Sequence, residues 1–198
     1  SKSGYEVHVF EKNNSLGGRA AQFKANGFTF DMGPSWYWMP DVFERFFNDF
    51  GKSSKNFYQM KKLNPAYRVI FNKENQIQIG DNIDSISSQF EKIEKGSGEK
   101  LKKFLKESKE NYDLAVTNML YKMPGKSIFE LINSKTILKV NLFLSNIKKD
   151  IEKRFKDSKL RSVLQFPVLF LGAKPSNTPA FYNFCLLYTS PSPRDTEV

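Results

Sequence analysis

Apolar residues recur along this chain at two periods. Early on, and again around residue 70, they alternate with polar ones, as in half-buried strands; later they fall on stripes of period near 3.6, as in amphipathic helices. Val7, Val9 and Phe10 read as a buried parallel strand that ends at the acidic Glu11. Ser1 to Gly4 read as the end of a helix, with Gly4 as its C′ residue. Phe23 leads into an Asn26-Gly27 turn signal, and Phe28 and Phe30 alternate with Thr29 and Asp31, which predicts a hairpin ending at Asp31. Gly33-Pro34 breaks it. Pro40 and Asp41 open a helix that presents Phe43, Phe46, Phe47 and Phe50 on one face and stops at Gly51. Such a stripe reads as core in preference to a substrate wall. Trp36, Tyr37 and Trp38 cannot all point inward, and suit a pocket or a lipid interface.

Residues 66–80 predict a second hairpin, with Val69, Ile70 and Phe71 before a polar turn at Glu74-Asn75 and Ile77 and Ile79 after it. Asp84 is placed as the cap of a short helix carrying Ile86, Phe90 and Ile93, interrupted by Gly96-Ser97-Gly98. Leu101, Phe104, Leu105, Ser108, Tyr112, Ala115, Val116 and Met119 form the next stripe, which Pro124-Gly125 ends. Ile128, Phe129 and Leu131 begin a shorter element. Val140, Leu144, Ile147, Ile151 and Phe155 mark a further helix face, with Lys139, Lys148, Lys149, Lys153 and Arg154 among their polar neighbours. That pattern suits an anionic membrane surface, although a core-packed helix with solvated lysines is the reading preferred. Pro167 is expected to kink or end a helix in residues 160–171, before a turn-rich connection. The organisation is thus strand, loop and hairpin first, then a helix-rich insertion, with the boundary near residues 55–65.

Composition narrows the function classes. Among 198 residues, 39% are hydrophobic, 26% are charged and 19 are phenylalanine, which fits a globular protein with a large core or greasy cavity. The net charge of +10 points to polyanions or an anionic lipid surface. Its lysines are spread through helices among acids, without a regular basic–aromatic tract, so nucleic acid is not expected as a partner. One cysteine, Cys185, and one histidine, His8, exclude a disulfide framework and a Cys/His metal set. No run approaches the ~18 apolar residues of a membrane span.

The candidate chemistry lies in YEVHVFEKNNSLGGRA. A carboxylate at the end of a parallel strand, here Glu11, can accept both hydroxyls of an adenosine ribose. Gly17 and Gly18 let backbone N–H groups approach a pyrophosphate, and Arg19 adds a permanent charge with a donor fork. Alone, the same residues read equally as a solvated acid and an ordinary loop. The glycine-rich turn of a dinucleotide site lies roughly 20 residues before its acid, so the first strand and phosphate loop are expected to be missing from the start. At the other end, CLLYTSPSPRD resembles a translated sequencing-library adapter, so residues 185–198 are expected to be a non-native tail.

Three motifs coincide here. EKNNSLGGRA, NGFTFDMGPSWYWMPDVFERFF and FPVLFLGAKPSNTPAFYNF together resemble the phytoene desaturase family of flavoprotein carotenoid desaturases, the bacterial and fungal type, across residues 1–184. The resemblance implies an α/β fold with an α+β insertion: a partial Rossmann-like FAD-binding domain of the amine-oxidase type in residues 1–60, and part of a helix-rich substrate and membrane-associating domain in 61–184. It implies non-covalent FAD, an apolar carotenoid substrate taken from a membrane surface, desaturation of phytoene toward lycopene, and a cytoplasmic, peripherally membrane-associated protein. Glu11 matches the ribose-holding position, and Gly17, Gly18 and Arg19 match the motif near the pyrophosphate. Asp31, Gly33 and Pro34 match the turn that follows. Glu130 is a candidate acid–base group, but no catalytic residue is assigned. Lacking its phosphate loop, the chain is expected neither to bind FAD tightly nor to turn over phytoene. Other readings are a related carotenoid isomerase or oxygenase, a flavin amine oxidase, or a non-enzymatic membrane-binding module using the basic helix at 136–155.

Overall fold

A computed structural model describes residues 1–33, 37, 39–60, 63–80, 82–120, 137 and 139–183. Pro34, Trp36, Trp38, Pro124-Gly125, Ile128, Phe129, Glu130, Leu131 and the expected tail at 185–198 lie outside the described residues. The fold mixes helices with two small sheets, and it divides into two compact units, Ser1–Leu63 and a second that starts at Asn64.

In the first unit, β1 (Gln22–Ala25) and β2 (Phe28–Asp31) pair antiparallel, with Phe23 opposite Phe30 and Ala25 opposite Phe28. Asn26 (φ 51°) and Gly27 (φ 82°) are both left-handed, which is what a two-residue type I′ turn needs. α1 (Pro40–Asp49) begins on its proline, carries Asp41 in the first turn and gives way to Gly51 at φ +66°. Its phenylalanine stripe corrects the expectation of a core. Phe43, Phe46 and Phe50 are 44%, 58% and 50% exposed, and their rings contact other rings: Phe46 lies 5.1 Å from Phe50, and Phe47 stacks on Phe57 at 4.7 Å. α1 packs on the short Ser54–Asn56 turn, which is too small to cover four rings.

Residues 5–11 also depart from expectation. They form no strand, and Val7, Val9 and Phe10 are exposed. A parallel strand exists only through ladder bonds to its neighbours, and the strands among the described residues are two antiparallel hairpins. Gly4 does take the left-handed φ of +81°, but it closes a turn onto Ser1 and not a helix.

The second unit holds the core. β3 (Tyr67–Ile70) and β4 (Gln76–Ile79) pair antiparallel, and the Asn72 side-chain oxygen accepts from the Glu74 and Asn75 N–H groups in the turn. Alternation buries Ile77 and Ile79 against α2 (Ile83–Ile93) and α3 (Ser97–Tyr112). Asn82, not Asp84, caps α2: its side-chain oxygen accepts from the Asp84 and Ser85 N–H groups, and Asp84 occupies the first turn. Leu101, Phe104 and Leu105 line the buried face of α3, whose helix continues as a π-helical stretch, Asp113–Leu120. That wider turn shifts the phase of the stripe and buries Leu114 beside Val116.

The basic helix expected over 136–155 is two helices, α4 (Val140–Leu144) and α5 (Ile147–Arg154). The break at Ser145-Asn146 is held from outside: Ala180 N–H donates to the Ser145 carbonyl, and Ile147 N–H to that of Thr178. Asn146 then caps α5 through the Lys149 N–H. Ile147, Ile151 and Phe155 are fully buried with Phe90, Leu160, Val163 and Val168, so the apolar face of α5 is core and not a lipid-facing surface. α6 (Ser158–Gln165) ends where Pro167 tightens the chain into a 3₁₀ segment, Phe166–Leu171. Among the described residues no helix is long and apolar enough to cross a membrane.

Candidate functional site

Two consecutive glycines set the shape of the Gly17–Arg19 turn. Gly17 has φ +114° and Gly18 φ +55°, backbone conformations that side chains with a Cβ rarely adopt. The turn Gly18–Ala20 closes with a 2.9 Å bond from the Ala20 N–H to the Gly17 carbonyl. Nothing stands within 4 Å of the place a Gly18 Cβ would take, and the Arg19 side chain is exposed. The turn therefore offers an open peptide surface beside a permanent cation.

The hairpin returns the chain to this turn. Gln22 is paired with Asp31, and its Nε2 donates to Asp31 Oδ1 at 3.2 Å. The Met32 N–H donates to the Ala21 carbonyl at 2.9 Å. Gly33 then lies so close to the turn that a Cβ on it would stand 2.1 Å from the Arg19 carbonyl oxygen and 3.2 Å from Ala20 Cα. Gly17, Gly18 and Arg19 thus come together with Asp31 and Gly33 at one junction. Pro34 is outside the described residues. Glu11 stands on the exposed segment before the turn, and its carboxylate accepts from the Asn13 N–H at 2.9 Å. No hydrogen bond or ion pair links it to Arg19 among the described residues.

Gln22 and Met32 were not singled out in the sequence as part of this junction. A signal for them existed: in a hairpin with a two-residue loop, positions equally distant from Asn26-Gly27 must pair, which places Gln22 opposite Asp31.

The donor set matches a dinucleotide in kind. An exposed carboxylate can accept ribose hydroxyls, glycine peptides can approach a diphosphate, and an exposed guanidinium can neutralise it. Elsewhere in the unit, the Tyr37 and Tyr58 hydroxyls hydrogen-bond to each other; burial, then that bond, holds the Tyr37 phenol above the usual range. No group of His, Cys, Asp and Glu able to hold a metal ion occurs among the described residues.

Residues 1–50 match the family described as NAD(P)-binding Rossmann-like domain. A carotenoid 3,4-desaturase of Haloarcula japonica is 38% identical over 183 residues, covering 91% of this chain and 37% of the relative. A 4,4'-diapophytoene desaturase (4,4'-diaponeurosporene-forming) of Staphylococcus haemolyticus is 32% identical over 183 residues, covering 91% of this chain and 36% of the relative. One of the same description from Staphylococcus aureus (strain Newman) is 30% identical over 188 residues, covering 92% and 37%. The chain therefore spans little more than a third of the length of the curated relatives it matches.

Proposed function

We propose, from the premise that this chain is a relative of the carotenoid desaturases, that it forms part of an FAD-dependent oxidoreductase that introduces double bonds into an apolar polyene. The observation that carries this reading is the overlap of two matches: similarity to desaturases over nine-tenths of the chain, and a Rossmann-like match on the residues that hold the Gly17–Arg19 turn and Gly33. The substrate is proposed as phytoene, taken in steps toward lycopene from a membrane surface on the cytoplasmic side.

The chain's own residues would share the binding work. Glu11 accepts hydroxyls of the adenosine ribose, the Gly17 and Gly18 peptides approach the diphosphate, and Arg19 neutralises it. Removing hydrogen from an unactivated hydrocarbon needs a hydride acceptor, which the flavin supplies when bound. The basic surface favours an anionic bilayer, where an apolar polyene is stored.

Expression of the full-length gene that encodes this chain in a phytoene-producing bacterial host tests the reading. Lycopene or its partly desaturated precursors are the expected products. Unchanged phytoene alongside a folded, flavin-loaded protein would rule the substrate out. A folded full-length product that takes up no FAD at micromolar concentrations would rule out the cofactor.

A further inference from the structure

Three glycines meet at the junction described above, and they are glycine for different physical reasons. Gly17 and Gly18 have positive φ, so their backbone needs the freedom. The φ of Gly33 is outside the left-handed region, so the sign of its φ does not call for glycine. What glycine provides there is the absence of a Cβ. The direction in which that Cβ would point is decisive. It does not point into open space, where a missing side chain would admit a ligand. It points at the Arg19 main chain, 2.1 Å from the carbonyl oxygen and 3.1 Å from the carbonyl carbon. Protein backbone already fills the room that Gly33 makes.

We propose that Gly33 is a positioning residue: its bare Cα lets the end of β2 seat against the Arg19 carbonyl, and this fixes where the turn presents the Arg19 guanidinium to the dinucleotide's diphosphate. The proposal rests on the FAD reading above and assigns Gly33 a role through Arg19, with no contact of its own to the cofactor. The Met32–Ala21 backbone bond and the Gln22–Asp31 side-chain bond clamp the same junction from the hairpin side. With those in place, a Cβ at position 33 is relieved only by moving the turn. Ordinary contact begins near 3.4 Å, so the displacement exceeds 1 Å, beyond the roughly 0.5 Å tolerance of a well-formed binding constellation. The turn is exposed on its other side, so it can move without unfolding the unit.

The test is a double-mutant cycle on the purified full-length product of the gene that encodes this chain, stripped of flavin, with FAD affinity read from flavin fluorescence on titration and folding read from circular dichroism. Gly33→Ala is expected to fold and to weaken FAD by about ten- to a hundredfold, the worth of one charge-assisted hydrogen bond. Arg19→Ala is expected to weaken it to a similar extent. In the double variant the losses are expected not to multiply: it binds more tightly than the product of the two single losses gives, and what Gly33→Ala still costs after Arg19→Ala is the share carried by the Gly17 and Gly18 peptides on the same turn. Multiplying losses would overturn the proposal, since Gly33 would then act independently of Arg19. Wild-type affinity in a folded Gly33→Ala variant would also overturn it, as would a Gly33→Ala variant that fails to fold, which would make the contact a requirement of the fold and not of the turn's placement. Failure of the unsubstituted protein to bind FAD is a distinct result: it removes the cofactor reading itself, and Gly33 then has nothing to position.

Discussion

At the scale of single residues, the best-defined electrostatics lie away from the junction of Gly17, Arg19 and Gly33, in two carboxylates that tie loops to helices. Glu91 in α2 accepts from the Gly96 N–H at 2.7 Å and the Gly98 N–H at 3.1 Å, at the start of α3. These bonds, Gly96 first, hold its carboxyl below the usual range, with help from Lys95 and Lys100. Burial raises the Glu94 carboxyl, but N–H donors from Asp157 and Lys156 and the Lys100 ammonium outweigh it and leave the group lowered. In the unfolded chain a glutamate takes up its proton near pH ~4.3; in the fold these two do so only at lower pH. As pH falls through that window the unfolded state binds more protons, so the stability they contribute is present above it and is lost on acidification through the folded values. We expect the urea midpoint of the wild-type protein to fall between about pH 5 and 3. Glu91→Gln should lower the midpoint at pH 7 and flatten that fall without abolishing it, because Glu94 still titrates. Equal slopes in variant and wild type would remove Glu91 from this role.

At the scale of elements, the α2–α3 crossing is set by glycine as firmly as the junction of Gly33 with the Arg19 turn is. A Cβ on Gly98 would stand 2.9 Å from the Ser87 carbonyl oxygen, a backbone atom in the facing helix that cannot swing away. Alanine would favour a helix interior by up to ~1 kcal/mol, while forcing the helices apart costs about 1–3 kcal/mol in lost packing. The second effect wins, and Gly98→Ala is expected to destabilise the protein in chemical denaturation; a stabilised variant would show that the crossing yields. The sequence announced Gly98 only as a break. It announced the first hairpin in full, because Asn26-Gly27 fixes a type I′ turn and the turn fixes the register that brings Asp31 and Gly33 back toward Arg19. Pro40 and Gly51 likewise bounded α1 through local chemistry. What could not be read locally depended on distant partners. The break at Ser145-Asn146 needs carbonyl and N–H partners from residues 178–180. The Val7–Phe10 segment has strand-like side chains but no ladder among the described residues, and the π-helical stretch after Tyr112 changes the repeat on which the stripe was counted.

At the scale of the whole molecule, burial is unevenly divided. Among the described residues of Ser1–Leu63, Ser54 is buried and no apolar side chain is, while the residues from Asn64 onward contain fully buried Phe90, Leu101, Ile147, Ile151, Phe155 and Leu160. Local opening is least costly where few apolar contacts must be broken, so the unit carrying the candidate dinucleotide turn is also the one expected to open first. Limited digestion with a lysine-specific protease should therefore cut after Lys12, Lys24, Lys52 or Lys55 before it cuts within α3 or α5. Mass spectrometry should show a persisting fragment that begins near Asn64. The same asymmetry makes ligand binding visible. A ligand at a hundred times its Kd stabilises the form that binds it by about 2.7 kcal/mol. When cleavage proceeds through opening, that corresponds to an approximately hundredfold slower cut. If Glu11 and the Gly17–Arg19 turn hold the adenylate end of FAD, saturating FAD should slow cleavage after Lys12 and Lys24, which flank the turn, far more than cleavage in the helical unit, and free adenosine diphosphate should reproduce part of the protection. Protection confined to the helical unit would place the binding determinants outside Ser1–Leu63, and the assignment of Glu11 and Arg19 would fall with it.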